Sequence, residues 1–264
     1  MKLILSEEQQ FLKDTAKSFA RDKTPTTHFR KLRDDENTKC WDDSIWQEMV
    51  QLGWSGILVP EEFGGSDFGI AGISVIMQEL GKTLTPSPIL ATSVLGVSTI
   101  NLLGSKEQKE KYLPKIVSGD VTTALAIDEG NHHSPFDIEA TAILKGDKWS
   151  LNGQKVFIID GASADYILIV ARTSGKKGDS NGLSVFVSEK NSEGLEISKI
   201  STADCRNYSN LKMNNLVLEG NALLGEVNTA GEIIEKVLDL GRIAMASEML
   251  GNTEEAFEIT VNYL

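Results

Sequence analysis

Side chains able to do chemistry gather in three short stretches. The first, Asp128-Glu129-Gly130-Asn131-His132-His133-Ser134, puts two carboxylates, two imidazoles and a hydroxyl within seven residues. Such a set can exchange protons or hold a polar ligand. It does not read as a metal centre, because adjacent histidines diverge and His28 is the only other one. Asp128 and Glu129 read equally well as solvated acids at a strand end. In Ala203-Asp204-Cys205-Arg206-Asn207 a thiol stands beside a guanidinium that would lower its pKa; a partly buried loop thiol is the plainer reading. Asp239 and Arg242 lie three apart on one helix face, which by itself is a surface ion pair of little weight. The glycine-rich dinucleotide loop, the P-loop and the Gly-x-Ser-x-Gly elbow are all missing.

The chain that positions these groups has 264 residues, 41% of them hydrophobic and 24% charged, an ordinary globular composition. Its 38 acidic against 26 basic residues give a formal charge of −12, which repels a nucleic acid backbone. A phosphate-bearing small molecule needs only a local site and stays open. No run approaches the ~20 apolar residues of a membrane span. Met1-Lys2-Leu3-Ile4-Leu5 passes directly into charged residues, so no secretory signal is expected. Two isolated cysteines, Cys40 and Cys205, point to a reducing, cytoplasmic setting.

The period along the chain divides it into three. Residues 1–122 read as helices, with capping-box spacing at Ser6 and Gln9, apolar periodicity from Ile70 to Leu80, and a helix from Ser105 ending near Pro114. Residues 123–227 alternate with period two and read as an antiparallel β-barrel or sandwich, with Asn152-Gly153 as a two-residue hairpin turn. Residues 228–264 return to helical period, with an apolar stripe through Ile233, Ile234, Val237, Leu238, Met249, Phe257 and Val261. That stripe needs partner helices or another subunit, so the chain reads as an oligomer and as cut short within a helical bundle. The fold class expected is α+β multidomain: a helical domain, a β-barrel and the first helix of an incomplete bundle.

Six local strings in this order resemble the acyl-CoA dehydrogenase family. They are Leu52–Pro60 followed by Glu61-Glu62-Phe63-Gly64-Gly65; Gln78-Glu79-Leu80-Gly81; Gly104–Asp120; Leu151-Asn152-Gly153-Gln154-Lys155; Ala164-Asp165 with Val170-Ala171-Arg172-Thr173; and Leu238-Asp239-Leu240-Gly241-Arg242. The resemblance implies an FAD-dependent α,β-dehydrogenation of an acyl-CoA thioester, with electrons passed to an electron-transfer flavoprotein. It places Leu125, Ala126, Ile127, Asp128, Ser134, Phe157, Ile158 and Ile159 against the flavin, and Ser134, Thr173, Asp239 and Arg242 against the CoA ester. Glu129 and Ser134 keep the family pattern, whereas Asp128 replaces a neutral donor and Ile159 a hydroxyl.

The family's usual catalytic carboxylate falls beyond residue 264 and its alternative position is Gly241, so no catalytic residue is identified here. Ala126–Gly130, Phe136–Ala142 and Ile159–Asp165 are similar to a subgroup acting on steroid side-chain and other bulky thioesters, often as paired unlike subunits. The rival expectations are a non-catalytic supporting subunit and a truncated, inactive product.

Overall fold

Ser6 begins the first helix as its spacing predicts: its hydroxyl accepts from Gln9 N–H and the Gln9 side chain answers the Ser6 N–H. A computed structural model describes residues 4–35, 39–204 and 206–264; Met1-Lys2-Leu3 and the Cys205 reading lie outside them. The helical part comprises α1 (Glu7–Lys23), α2 (Thr26–Asp34), α3 (Asp43–Gln51), α4 (Ile70–Lys82), α5 (Val97–Leu103) and α6 (Lys106–Val117). A second capping box, Ser105 with Gln108, starts α6. The expected stop near Pro114 does not occur, and α6 continues to Val117. Proline here forfeits one bond to the carbonyl of Glu110, an exposed residue whose carbonyl water can satisfy.

Ile89–Gly96 is a π-helical segment, buried throughout, that runs directly into α5. Its Thr92 hydroxyl accepts from Thr123 N–H at 3.0 Å and donates to the Thr123 carbonyl at 3.2 Å, tying the helices to the first strand.

The strands are β1 (Thr123–Ala126), β2 (Thr141–Lys145), β3 (Lys148–Ile158), β4 (Tyr166–Arg172), β5 (Leu183–Glu189), β6 (Leu195–Ile200), β7 (Tyr208–Glu219) and β8 (Leu223–Leu224). They form one sheet in the order β6-β7-β3-β2-β4-β5-β8, with β1 parallel to β4. The path from β6 to β8 is open, so the barrel expected from the alternating pattern is not closed. The sheet is also mixed, since β1 and one residue pair of β2 run parallel to β4.

Asn152-Gly153 is not a hairpin turn. β3 passes straight through it, and the pairing with β7 slips by one residue between Leu151 and Gly153. The extra residue of this bulge lies on β7, at Asn214-Asn215, where Asn215 has φ +50° and donates its N–H to Asn152 Oδ1 at 2.9 Å. Gly153 serves a close approach: it has φ +138°, and a Cβ there would lie 2.6 Å from the Ala140 Cβ. The true hairpin joins β2 to β3 through Gly146-Asp147.

The last helix, α7 (Ala230–Tyr263), buries Ile234 and Val237 of the expected stripe, and Ala244 beside them, against the rest of the chain. Met249, Leu250, Phe257 and Val261 remain exposed. It crosses α4 where glycines meet backbone: a Cβ on Gly251 would lie 1.8 Å from the Gln78 carbonyl oxygen. No described helix is long and apolar enough to cross a membrane.

Gly153→Ala is expected to lower stability by about 2 kcal/mol, because the new methyl overlaps Ala140 and its φ is strained. Urea unfolding of the two proteins checks it; equal midpoints would show that the close approach accommodates a side chain.

Candidate functional site

β1 ends at Ala126 and the chain leaves the sheet for fourteen residues, 127–140, before β2 begins. One buried ion pair closes that excursion at both ends. Lys155, on β3 and without exposed surface, donates from Nζ to the Ile127 carbonyl at 2.8 Å and to Glu129 Oε1 at 2.7 Å. The Glu129 carboxylate also accepts the N–H of Glu139 at 2.7 Å and of Ala140 at 3.1 Å. Burial pulls the Lys155 ammonium down to about 8, against the opposing pull of Glu129. Arg172, at the end of β4 and also buried, gives its guanidinium to the carbonyls of Phe136, Ile138, Ser174, Asp179 and Asn181.

Within this frame Asp128 is occupied by its own loop. Its Oδ1 accepts Ser134 N–H at 3.0 Å, and its Oδ2 lies 2.8 Å from His133 Nδ1. An ionised carboxylate only accepts, so Nδ1 is the protonated nitrogen. The Asp128 carbonyl accepts Val156 N–H at 2.8 Å, which sets the loop beside the end of β3. There the β3–β7 pairing shifts again between Lys155 and Ile158. A bulge of this kind re-aims side chains. Phe157 turns outward with φ +51° and 57% of its surface exposed, its N–H donated to Asn210 Oδ1 at 3.3 Å and its ring edge-on to Tyr208. Positive φ is uncommon for a bulky residue and marks a constrained position. Ile158 is buried, and Ile159 packs on the helical core.

Leu125, Ala126 and Ile127 are buried. Their side chains serve the core, and the loop offers a ligand only their backbone. Thr173 is satisfied internally: its hydroxyl donates to Asn228 Oδ1 at 2.7 Å and sits 2.8 Å from Ser184 Oγ. Asn228 N–H in turn donates to Ser184 Oγ at 2.8 Å, just before α7. Arg242 bonds Glu235 at 2.8 Å and Asp239 at 2.6 Å along the exposed side of α7, as an ordinary surface cluster would. The structure therefore brings Asp128, Ser134 and residues 156–159 together and leaves Asp239 with Arg242 in a separate group. Gly241 is buried, and a Cβ there would meet Leu95 Cδ2 at 2.8 Å. A carboxylate has no room at that position unless Leu95 moves. Among the described residues no group of three His, Cys, Asp or Glu could hold a metal.

Sequence reading missed Lys155 and Arg172 as organisers. For Arg172 the signal available was a cation ending the otherwise apolar Tyr-Ile-Leu-Ile-Val-Ala run, which requires buried partners.

Residues 6–120 match the family description "Acyl-CoA dehydrogenase, N-terminal domain", and residues 124–219 match "Acyl-CoA dehydrogenase, middle domain". The chain is 30% identical to an acyl-CoA dehydrogenase of Bacillus subtilis, over 98% of this chain and 69% of that protein. It is 29% identical to the caffeyl-CoA reductase-Etf complex subunit CarC of Acetobacterium woodii, over 99% of this chain and 69% of that one. The solved FAD complex of PigA superimposes with a TM-score of 0.87 at 25% identity, covering 100% of this chain and 70% of that one.

Glu129→Ala leaves the Lys155 ammonium buried with only the Ile127 carbonyl, and is expected to lower stability by about 3 kcal/mol. Urea unfolding at neutral pH checks this, and a loss below about 1 kcal/mol would mean the pair is not the fastener of the loop. A second expectation concerns Asp160, also buried, whose carboxyl burial pushes up to about 7. Between pH ~4 and ~7 the folded protein holds a proton there that the unfolded chain has released, so this group's contribution falls as pH rises. Asp160→Asn stays neutral throughout. Its stability should therefore gain on wild type steadily from pH ~4 to ~7; a constant difference across that range would contradict the shift.

Proposed function

The chain belongs to the acyl-CoA dehydrogenase family, and from that premise we propose that it takes part in FAD-dependent α,β-dehydrogenation of an acyl-CoA thioester. The observation that carries this reading is Phe157: an exposed aromatic ring, held by a strained bulge beside a loop that a buried ion pair closes. The residues present fit a flavin. Phe157 offers a flat apolar face, and the Asp128 carboxylate is turned onto its own loop by the Ser134 N–H and His133 Nδ1.

The flavin, when bound, supplies the acceptor for the hydride leaving the substrate's β carbon. Phe157, Ile158 and Ile159 orient it from the sheet side, Ile159 through its backbone N–H in place of a hydroxyl. Leu125, Ala126, Ile127, Asp128 and Ser134 border it with the 127–134 backbone. For the CoA ester, Ser134 supplies a hydroxyl, Thr173 one that must first give up Asn228 Oδ1, and Arg242 with Asp239 an exposed charged pair on α7. Position 241, a glycine packed against Leu95, offers no α-proton acceptor. The division at residues 122 and 227, an electron-transfer flavoprotein as electron acceptor, a cytoplasmic location and assembly with further subunits belong to the same proposal. The Etf-complex relative supports the acceptor, and the exposed Met249, Phe257 and Val261 support assembly.

The test is the visible spectrum of the purified protein during anaerobic titration with straight, branched and bulky acyl-CoA esters. A flavin band that bleaches with at least one ester is the expected result. A colourless protein, or a band that no ester bleaches, would overturn the enzyme reading and leave the supporting-subunit one.

A further inference from the structure

Taking a proton from carbon needs a basic atom that a ligand can reach and a fixed orientation for it. Around the 127–140 loop most titratable groups fail one of these conditions. Glu129 is held by Lys155 and by the N–H groups of Glu139 and Ala140, and Lys155 has no exposed surface. The Arg172 guanidinium only donates, and the loop carbonyls take its donors. His132 is exposed, and no hydrogen bond among the described residues orients it.

His133 meets both conditions. Its Nδ1–H donates to Asp128 Oδ2 at 2.8 Å, and its side chain is 50% exposed. Asp128 is fixed in turn: Oδ1 accepts Ser134 N–H at 3.0 Å, and its carbonyl accepts Val156 N–H at 2.8 Å. Hydrogen bonds therefore tie the imidazole to Ser134 and to the strand residue before Phe157, the groups proposed above to border the ester and the flavin. With Nδ1 protonated, Nε2 carries the lone pair, and no hydrogen bond among the described residues occupies it. A carboxylate on Nδ1–H fixes that tautomer and stabilises the imidazolium formed when Nε2 takes a proton.

We propose that His133 Nε2 accepts the α proton of the bound thioester, with Asp128 as its positioning partner. The proposal rests on the acyl-CoA reading above and supplies the group that position 241 lacks. The Cα–H bond breaks, the proton passes to Nε2, and the electron pair stays on the thioester as an enolate. That pair closes the Cα=Cβ bond as hydride leaves Cβ for the acceptor described above, and the imidazolium returns its proton to water. Without hydride loss the enolate takes a hydrogen back from solvent, so exchange at Cα reads the proton step alone.

The test is anaerobic incubation of the protein as purified with acyl-CoA esters in heavy water, with α-deuterium read by mass spectrometry and ester affinity by calorimetry. Wild type should exchange the α hydrogen. His133→Ala should lower that rate at least about a hundredfold, with ester affinity within about threefold. Added imidazole should then raise the residual rate at least about tenfold, a rescue that a merely structural histidine would not allow. Asp128→Asn should lower the rate about tenfold, because an amide stabilises the imidazolium less than a carboxylate does. An unchanged rate in His133→Ala, a loss that imidazole does not rescue, or binding without exchange in wild type would each overturn the proposal and leave the acyl-CoA reading intact. Failure of every ester to bind would instead overturn the acyl-CoA reading, and this inference with it.

Discussion

Lys155 carries an ammonium into an interior without solvent contact, and the candidate site is arranged around the answer to that charge. A lone buried cation would lose its proton or unfold its surroundings. Glu129 prevents both at 2.7 Å, and in doing so brings the chain leaving β1 against the middle of β3. The remaining acceptor capacity of Glu129 is spent on the N–H groups of Glu139 and Ala140, where the excursion returns. Arg172 holds the later part of the same loop through carbonyl dipoles rather than a counter-ion.

The helices complete the site from the other side. The π-helical segment docks on β1 through Thr92 and points Leu95 at Gly241 of α7. α7 can approach α4 closely because it carries Gly251, where a Cβ would lie 1.8 Å from the Gln78 carbonyl oxygen. The same packing brings Met245 and Glu248 within one cavity with Asp160 and Arg206. Gly241 packs on the Leu95 side chain, and the polar groups of this face lie two turns further along the helix.

Much of the fold was legible because its signals are local. Ser6 with Gln9 and Ser105 with Gln108 announce helix starts, and the alternating runs announce strands. The errors came where a local signal met a distant constraint. Asn152-Gly153 has turn chemistry, but Ala140 lies against Gly153 and β7 continues beside it, so the glycine serves a close approach within the strand. Alternation showed that strands exist without showing that β1 runs parallel to β4 or that the sheet stays open. At the site, the outward turn of Phe157 comes from the bulge between Lys155 and Ile158, which a hairpin reading of Asn-Gly-Gln-Lys does not show. The pairing of Lys155 with Glu129 was not readable, since 26 residues separate them and neither is unusual alone. The cavity residues are scattered from Trp41 to Glu248, and only tertiary packing reveals them as one wall.

The central claim is that the Glu129–Lys155 pair shapes the loop for a flavin rather than merely stabilising the fold. The direct measurement is FAD affinity of the apo-protein, by flavin fluorescence, for wild type and for the double variant Glu129→Leu with Lys155→Met. Removing both charges together leaves no unpaired ion, although the Glu139 and Ala140 N–H groups lose their acceptor, so the stability loss should stay below the roughly 3 kcal/mol expected of Glu129→Ala. The account predicts that FAD affinity nevertheless falls at least about tenfold, because the loop loses its fastener. Unchanged affinity in the folded double variant would contradict it.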